Sequence, residues 1–383
     1  MQTFDVVIVG GGIIGCSIAF ELSSRKLRVA VLDRQEMMQE ASWAAAGMLS
    51  PAPDCTAAIP LVPLSRASLM LYPQFIAAIE EHSWIRSGFR AGGTVEVLCH
   101  GDAERELSTL VALHHGLGLA CEPLPLDEAL EIEPSLGREV RAAAFLPDEA
   151  SVNTRALNAA VLAASCAEGA MLFPGTEVAT LIKDGNRFDG VKTMSGETFS
   201  AGHIVVAAGC WTSLIPEVAP YAPTQPVRGQ MAALLHKGKP IRHVLRSERG
   251  YIVPRDQETP QKLVVGSTLE NVGYEKAVTS GGLENIFSAV NEILPSLAGA
   301  EIQETWSGLR PGTPDQLPIL GPTEIEGLVM ATGHYRNGIL LAPVTAKLIA
   351  EWITERRVSI DWENFSPSRF GRGNMGHSAA AQF

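Results

Sequence analysis

The sequence predicts an α/β chain, α+β overall, folded into two domains, and three observations carry that prediction. The first is length, since 383 residues exceed what one hydrophobic core ordinarily organises. The second is an N-terminal strand, glycine turn, helix and second strand in immediate succession. The third is a later alternation of short apolar strands with amphipathic helices. A hydrophobic share of 46% with 19% charged residues fits a globular chain, not a disordered one.

The first strand is "FDVVIVG", a β-branched run of the kind buried on both faces of a parallel sheet. "GGGIIGCSIAFELSSR" reads as a helix and "LRVAVLDR" as the next strand. Gly10, Gly12 and Gly15 are spaced as G-x-G-x-x-G, with Ile13 and Ile14 opening the helix. Such glycines permit a tight turn, close approach of a pyrophosphate, and close helix–strand packing, in that order. The helix N-terminus then offers its N–H groups to phosphates. Asp33 closes the second strand, with Arg34 beside it, where a carboxylate accepts from ribose hydroxyls. This unit predicts a dinucleotide site without choosing between NAD and FAD.

"EASWAAAGMLSP" follows, including Ser42, Ala45, Ala46, Gly47 and Met48. Small residues here let backbone lie against a flat ligand, although a short Ala-rich helix fits the same composition. Residues 152–170 read as a helix capped by Asn153 or Thr154. Short strands come next, with turns at Asp184-Gly185 and Ser195-Gly196. "HIVVAAGCW" is a buried strand ending at Ala208-Gly209 and followed by Trp211, and "GGTVEVL", "GQMAALL", "YIVPR" and "KLVVGST" are further strands. The Gly/Ser-rich stretch 366–383 is expected to be a flexible tail.

A net charge of −12 argues against general affinity for nucleic acid or an anionic membrane. The six cysteines show neither CxxC nor metal-ligand spacing, so isolated thiols in a reducing compartment and no metal are expected. "MQTFDVVIVGGGIIG" lacks a secretory signal pattern, and no apolar run reaches spanning length. A cytoplasmic protein is the expectation.

Taken together, "VVIVGGGIIG", "SWAAAGML", "RGYIVPR", "WSGLRPGTPDQLPILG" and "GHYRNGILLAP" resemble the D-amino-acid-oxidase superfamily of flavoproteins. The similarity is strongest to its glycine oxidase branch, associated with making the thiazole of thiamine. It implies a Rossmann-like FAD domain assembled from 1–50, 151–220 and 305–365, and an inserted substrate domain with an antiparallel sheet from 51–150 and 221–304. It also implies FAD as cofactor, O2 as acceptor, a small amino acid as substrate, and a homo-oligomer. Val178 would meet the adenine through its backbone, and Ala208, Gly209 and Trp211 would pass close to the cofactor. The sarcosine oxidases of this superfamily hold FAD through a cysteine, but 308–321 contains none. The cofactor is therefore expected to be non-covalent.

The resemblance also implies the chemistry, hydride transfer from the α-carbon of an amine to flavin N5. That demands geometry more than acid–base machinery, and the substrate's carboxylate is the available handle. Arginine grips a carboxylate with two parallel bonds. Arg310, read as lying in a rigid Gly/Pro loop, matches the family's clamp, with a structural salt bridge as the alternative. Tyr251 matches a second carboxylate contact, or else packs as an ordinary strand tyrosine. Arg336 matches an arginine at the flavin and substrate mouth. His334, Asn337, Gly338, Ile339 and Leu340 complete that segment, which begins a helix aimed at the flavin. His334 reads as structural, not catalytic. Leu269 and Arg249 stand where glycine oxidases carry a pocket methionine and a histidine, which broadens the expected substrate to small amino acids. The competing readings are a dehydrogenase that passes electrons to a quinone or protein, and a flavoprotein subunit of a larger complex.

Overall fold

A computed structural model describes residues 2–53, 55–256 and 258–370. Its first sheet is built around β1 (Gln2–Val9) and β2 (Val29–Leu32), which are parallel and joined by α1 (Ile13–Ser24). Strand Thr198–Val206 pairs parallel with the other side of β1, and Leu328–Thr332 extends that edge. Met171–Phe173 continues the parallel order beyond β2, while Ile319–Pro322 and the meander Val178–Asp184, Arg187–Thr193 add antiparallel strands. The central strands are buried on both faces, so Val6, Val7 and Ile8 are apolar without alternation.

The second sheet has eight strands, in the order Glu301–Gly312, Gln225–His236, Gln261–Gly266, Tyr251–Pro254, Val244–Arg246, Thr94–Leu98, Ala142–Leu146 and Glu122–Leu124. All neighbours are antiparallel except Val244–Arg246 with Thr94–Leu98. Helix Ser280–Ile293 buries Ile286, Val290 and Ile293 in the core that this sheet forms. Helix Thr154–Ala167 starts at Asn153, whose side chain accepts from Ala156 N at 3.3 Å.

Four expectations are corrected. Arg310 does not sit in a loop but inside the twelve-residue strand Glu301–Gly312. That strand forms one edge of its sheet, where Pro311 removes no needed ladder bond. The strand also begins before residue 305 and belongs to the second sheet, not the first. Helix Val62–Ser83 packs with the first sheet's helices, although its place in the chain assigned it to the insertion. Its Tyr72 hydroxyl donates to Ile339 O at 2.6 Å, and Ser68 Oγ donates to Leu340 O at 2.5 Å. A helix is placed by the face it buries, and Tyr72, Ile76 and Ile79 point into that core. Of the expected tail, Pro367–Phe370 forms a 3-10 turn fastened by Arg369 to Asp315 at 2.7 Å, and 371–383 lie outside the described residues. Among the described residues no helix is long and apolar enough to cross a membrane.

Candidate active site

One cavity of about 300 Å³ joins the two sheets' functional edges. Its first wall is the β1–α1 turn. Gly10 has φ +111°, and a Cβ there would lie 2.4 Å from Ala207 O. Gly12 lines the cavity, and a Cβ there would meet Ser42 Oγ at 3.1 Å. Ser42 reaches in from a distant segment and accepts from Ile13 N at 2.9 Å, so its hydroxyl caps a helix that its own neighbours do not cap. Ile13 and Ile14 line the same wall. Gly15 does not; a Cβ there would come 1.9 Å from Gly10 O, so its role is the close packing of α1 on the turn.

Asp33 follows β2 directly. One carboxylate oxygen accepts from Gly11 N at 2.7 Å and the other from Gln35 N at 2.9 Å. Burial holds its pKa above the ordinary value, against the pull of those two N–H groups. Arg34 lies with its guanidinium 4.0 Å over the Trp211 ring and pairs with Glu40 at 3.3 Å. Val178, Ala208 and Gly209 line this end as well.

Ala45, Ala46, Gly47 and Met48 form the middle of the cavity. Both readings of this segment hold in part: Ala41–Ala44 is one helical turn, and Ala45 then leaves it in extended conformation. The segment is tied from outside the cavity. Trp306 Nε1 donates to Ala44 O at 3.0 Å, and Thr154 Oγ1 to Ala45 O at 2.8 Å. Gly47 has φ +84° and leaves no room for a side chain against Val152 O.

At the far end, Arg310 Nη2 donates to Ser267 Oγ at 2.8 Å and Nη1 to Thr268 O at 3.1 Å. Thr268 Oγ1 in turn donates to Glu270, which also takes the nearly buried Arg228. Gly229 and Gly308 stand opposite each other across two strands. A Cβ on Gly229 would sit 2.3 Å from both Arg310 Nη atoms, and one on Gly308 would sit 2.4 Å from Ala44 Cβ. The two glycines thus clear space for the guanidinium and for the alanine segment. Tyr251 is buried, and its hydroxyl donates to Met231 Sδ at 3.2 Å. Gly229, Met231, Ser267 and Thr268 were not singled out from sequence, because their places depend on strand register.

Arg336 is exposed at the rim, and Gly338 and Ile339 line the cavity where helix Gly338–Glu355 begins with no side-chain cap. Asn337 is that helix's N-cap residue and does not line the cavity. Neither does Leu340, which is core. His334 lines the cavity as a buried neutral ring, 3.0 Å from Thr345 Oγ1, with burial pushing its pKa down to about 3. Leu269 is 60% exposed and Arg249 pairs with Glu292, and neither lines the cavity. Among the described residues no group of three or more His, Cys, Asp or Glu side chains is arranged to hold a metal ion.

A glycine turn, a helix N-terminus and a carboxylate at a strand end, all on one cavity, suit a dinucleotide. The family model for FAD-dependent oxidoreductases of the DAO type matches residues 5–352. The chain belongs to this family. FAD is therefore its cofactor, and the α/β fold with a Rossmann-like half is the family's. Among its FAD-dependent relatives, a glycine oxidase of Geobacillus kaustophilus (strain HTA426) is 34% identical over 370 residues, 96% of this chain and 97% of that protein. The bifunctional protein ThiO/ThiG of Trichormus variabilis is 35% identical over 375 residues. That match takes in 96% of this chain but 55% of the longer protein. The crystal structure of glycine oxidase from Geobacillus kaustophilus superposes with a TM-score of 0.90 at 32% identity, covering 96% of this chain and 99% of that one.

Proposed function

We propose that the chain oxidises glycine and other small amino acids, such as sarcosine, N-alkylglycines and small D-amino acids, with O2 as final acceptor and H2O2 as product. The observation that carries this reading is Arg310, on a strand, braced by Ser267 and Thr268 and facing a cavity shared with the FAD-binding turn. Glycine oxidases among the similar proteins support it.

Bound FAD supplies the acceptor for the hydride that leaves the substrate α-carbon. The protein's task is to hold that carbon in place. Arg310 grips the carboxylate with its fork, a fixed geometry that a lysine would not give. Tyr251 adds a second donor; a thioether is a weak acceptor, so its hydroxyl turns from Met231 to a carboxylate at little cost. Arg336 closes the rim. The N-terminus of helix Gly338–Glu355 faces the cavity, where its partial positive charge favours an electron-rich ring. A substrate amine that binds uncharged needs no side-chain base.

Purified, FAD-loaded protein should release peroxide in step with oxygen uptake when given glycine, sarcosine or D-alanine. Turnover seen only with an artificial electron acceptor would move the reading to a dehydrogenase, and no turnover at all would remove it. Tyr251→Phe should lower kcat/KM mildly, by about fivefold for one hydrogen bond of about 1 kcal/mol; an inactive enzyme would give Tyr251 a larger role. Asp33 would take the ribose hydroxyls on the cavity side of its carboxylate. Asp33→Ala should therefore leave the column without most of its flavin absorbance, and a fully yellow variant would contradict the ribose contact.

A further inference from the structure

A second cavity, of about 140 Å³, shares Ala45 with the first. Three cations line it, Arg155, Arg255 and Lys262, together with Trp43, Trp306 and the first turn of helix Thr154–Ala167. One carboxylate answers them. Glu304 takes both Nη atoms of Arg155, at 2.8 and 2.9 Å, while Arg155 lies 3.8 Å over the Trp43 ring. Arg255 donates to Val152 O at 2.8 Å. Among the described residues no carboxylate forms an ion pair with Arg255 or Lys262.

Burial, and then the charge of Arg155, push Arg255 down to about 10. Like charges gathered in a recess repel unless something negative joins them. The helix end adds partial positive charge of its own. We propose that this cavity binds a small tetrahedral oxyanion of phosphate size, held by Arg255, Lys262 and the positive end of helix Thr154–Ala167. The charge sets the class: a small recess lined by three cations, of which Glu304 answers one, suits a compact anion. Two cations in excess of Glu304 favour a doubly charged ion.

The site is not isolated from the cofactor. Trp306 and Thr154, both on its wall, donate to the carbonyls of Ala44 and Ala45, and Ala45 also lines the FAD cavity. An ion here therefore braces the outer side of that segment.

The test is thermal melting of the FAD-loaded protein across a series of inorganic phosphate concentrations, with sodium chloride at matched ionic strength as reference. Wild type should gain a few degrees in a saturable way with phosphate but not with chloride. Lys262→Met should need about tenfold more phosphate for the same gain, one charge-assisted contact being lost. Arg255→Met should lose the gain, yet melt at or above wild type without phosphate, because a repelled charge is gone. A purely structural arginine would behave in the opposite way. Equal gains in wild type and Lys262→Met, or no gain over chloride in wild type, would overturn the site. Lys262 is partly exposed, so that comparison decides the matter even if Arg255→Met does not fold.

Discussion

Arg310→Ala should cut kcat/KM for glycine by about 30-fold to several thousandfold, the range that corresponds to losing a charged contact of about 2–5 kcal/mol. Most of the loss should appear in KM, because the guanidinium holds the carboxylate before and during the reaction. FAD content should stay that of wild type, since the residue is mounted on the second sheet. Arg310→Lys should recover only part of the loss: a lysine keeps the charge but cannot span Ser267 Oγ and Thr268 O while presenting a planar fork. Steady-state kinetics with glycine check both variants. Unchanged constants for Arg310→Ala would take the carboxylate away from this residue.

Gly15→Ala should abolish FAD retention and lower the melting temperature. The added methyl would sit 1.9 Å from Gly10 O, a backbone atom that cannot rotate aside. Helix α1 must then move off β1, and overpacking of this kind costs about 1–3 kcal/mol. The same movement pulls the phosphate-facing turn out of shape. Gly116→Ala is the matched control. It ends helix Ala103–Gly116 with open space around its Cβ, so the variant should melt with or slightly above wild type. Flavin absorbance and a melting curve read both. A Gly15→Ala protein that stays yellow and melts normally would mean that the helix has slack the contacts do not show.

The N-terminal half of the site was legible because its signals are local. β-branched runs, glycine spacing and Asp33 at a strand end all lie within one βαβ unit, and each depends on neighbours in sequence. The Arg310 end was legible only as a motif. Pro311 and the two flanking glycines read as a loop, and nothing local says that an edge strand tolerates a proline. Gly229 and Ser267 were not legible at all. Gly229 owes its value to the register that sets Val227 opposite Arg310 and Gly229 opposite Gly308, and Ser267 to the one that sets Met231 opposite Gly266, pairings across residues far apart in sequence. Leu269 and Arg249 were misjudged for the converse reason, since positions close to a pocket strand in sequence need not face the pocket. Helix Val62–Ser83 was likewise assigned by its place in the chain, when its apolar face decides where it packs.

The hydroxyls of Ser68 and Tyr72 have a further consequence. They fasten helix Val62–Ser83, which only chain order places in the insertion, to the opening turn of helix Gly338–Glu355, near the end of the described chain. Cutting at the apparent domain borders would strip that late helix of its neighbour. Neither excised half should survive as a separate stable fragment, and a ribosome must deliver the chain through this late helix before the flavin's seat is finished.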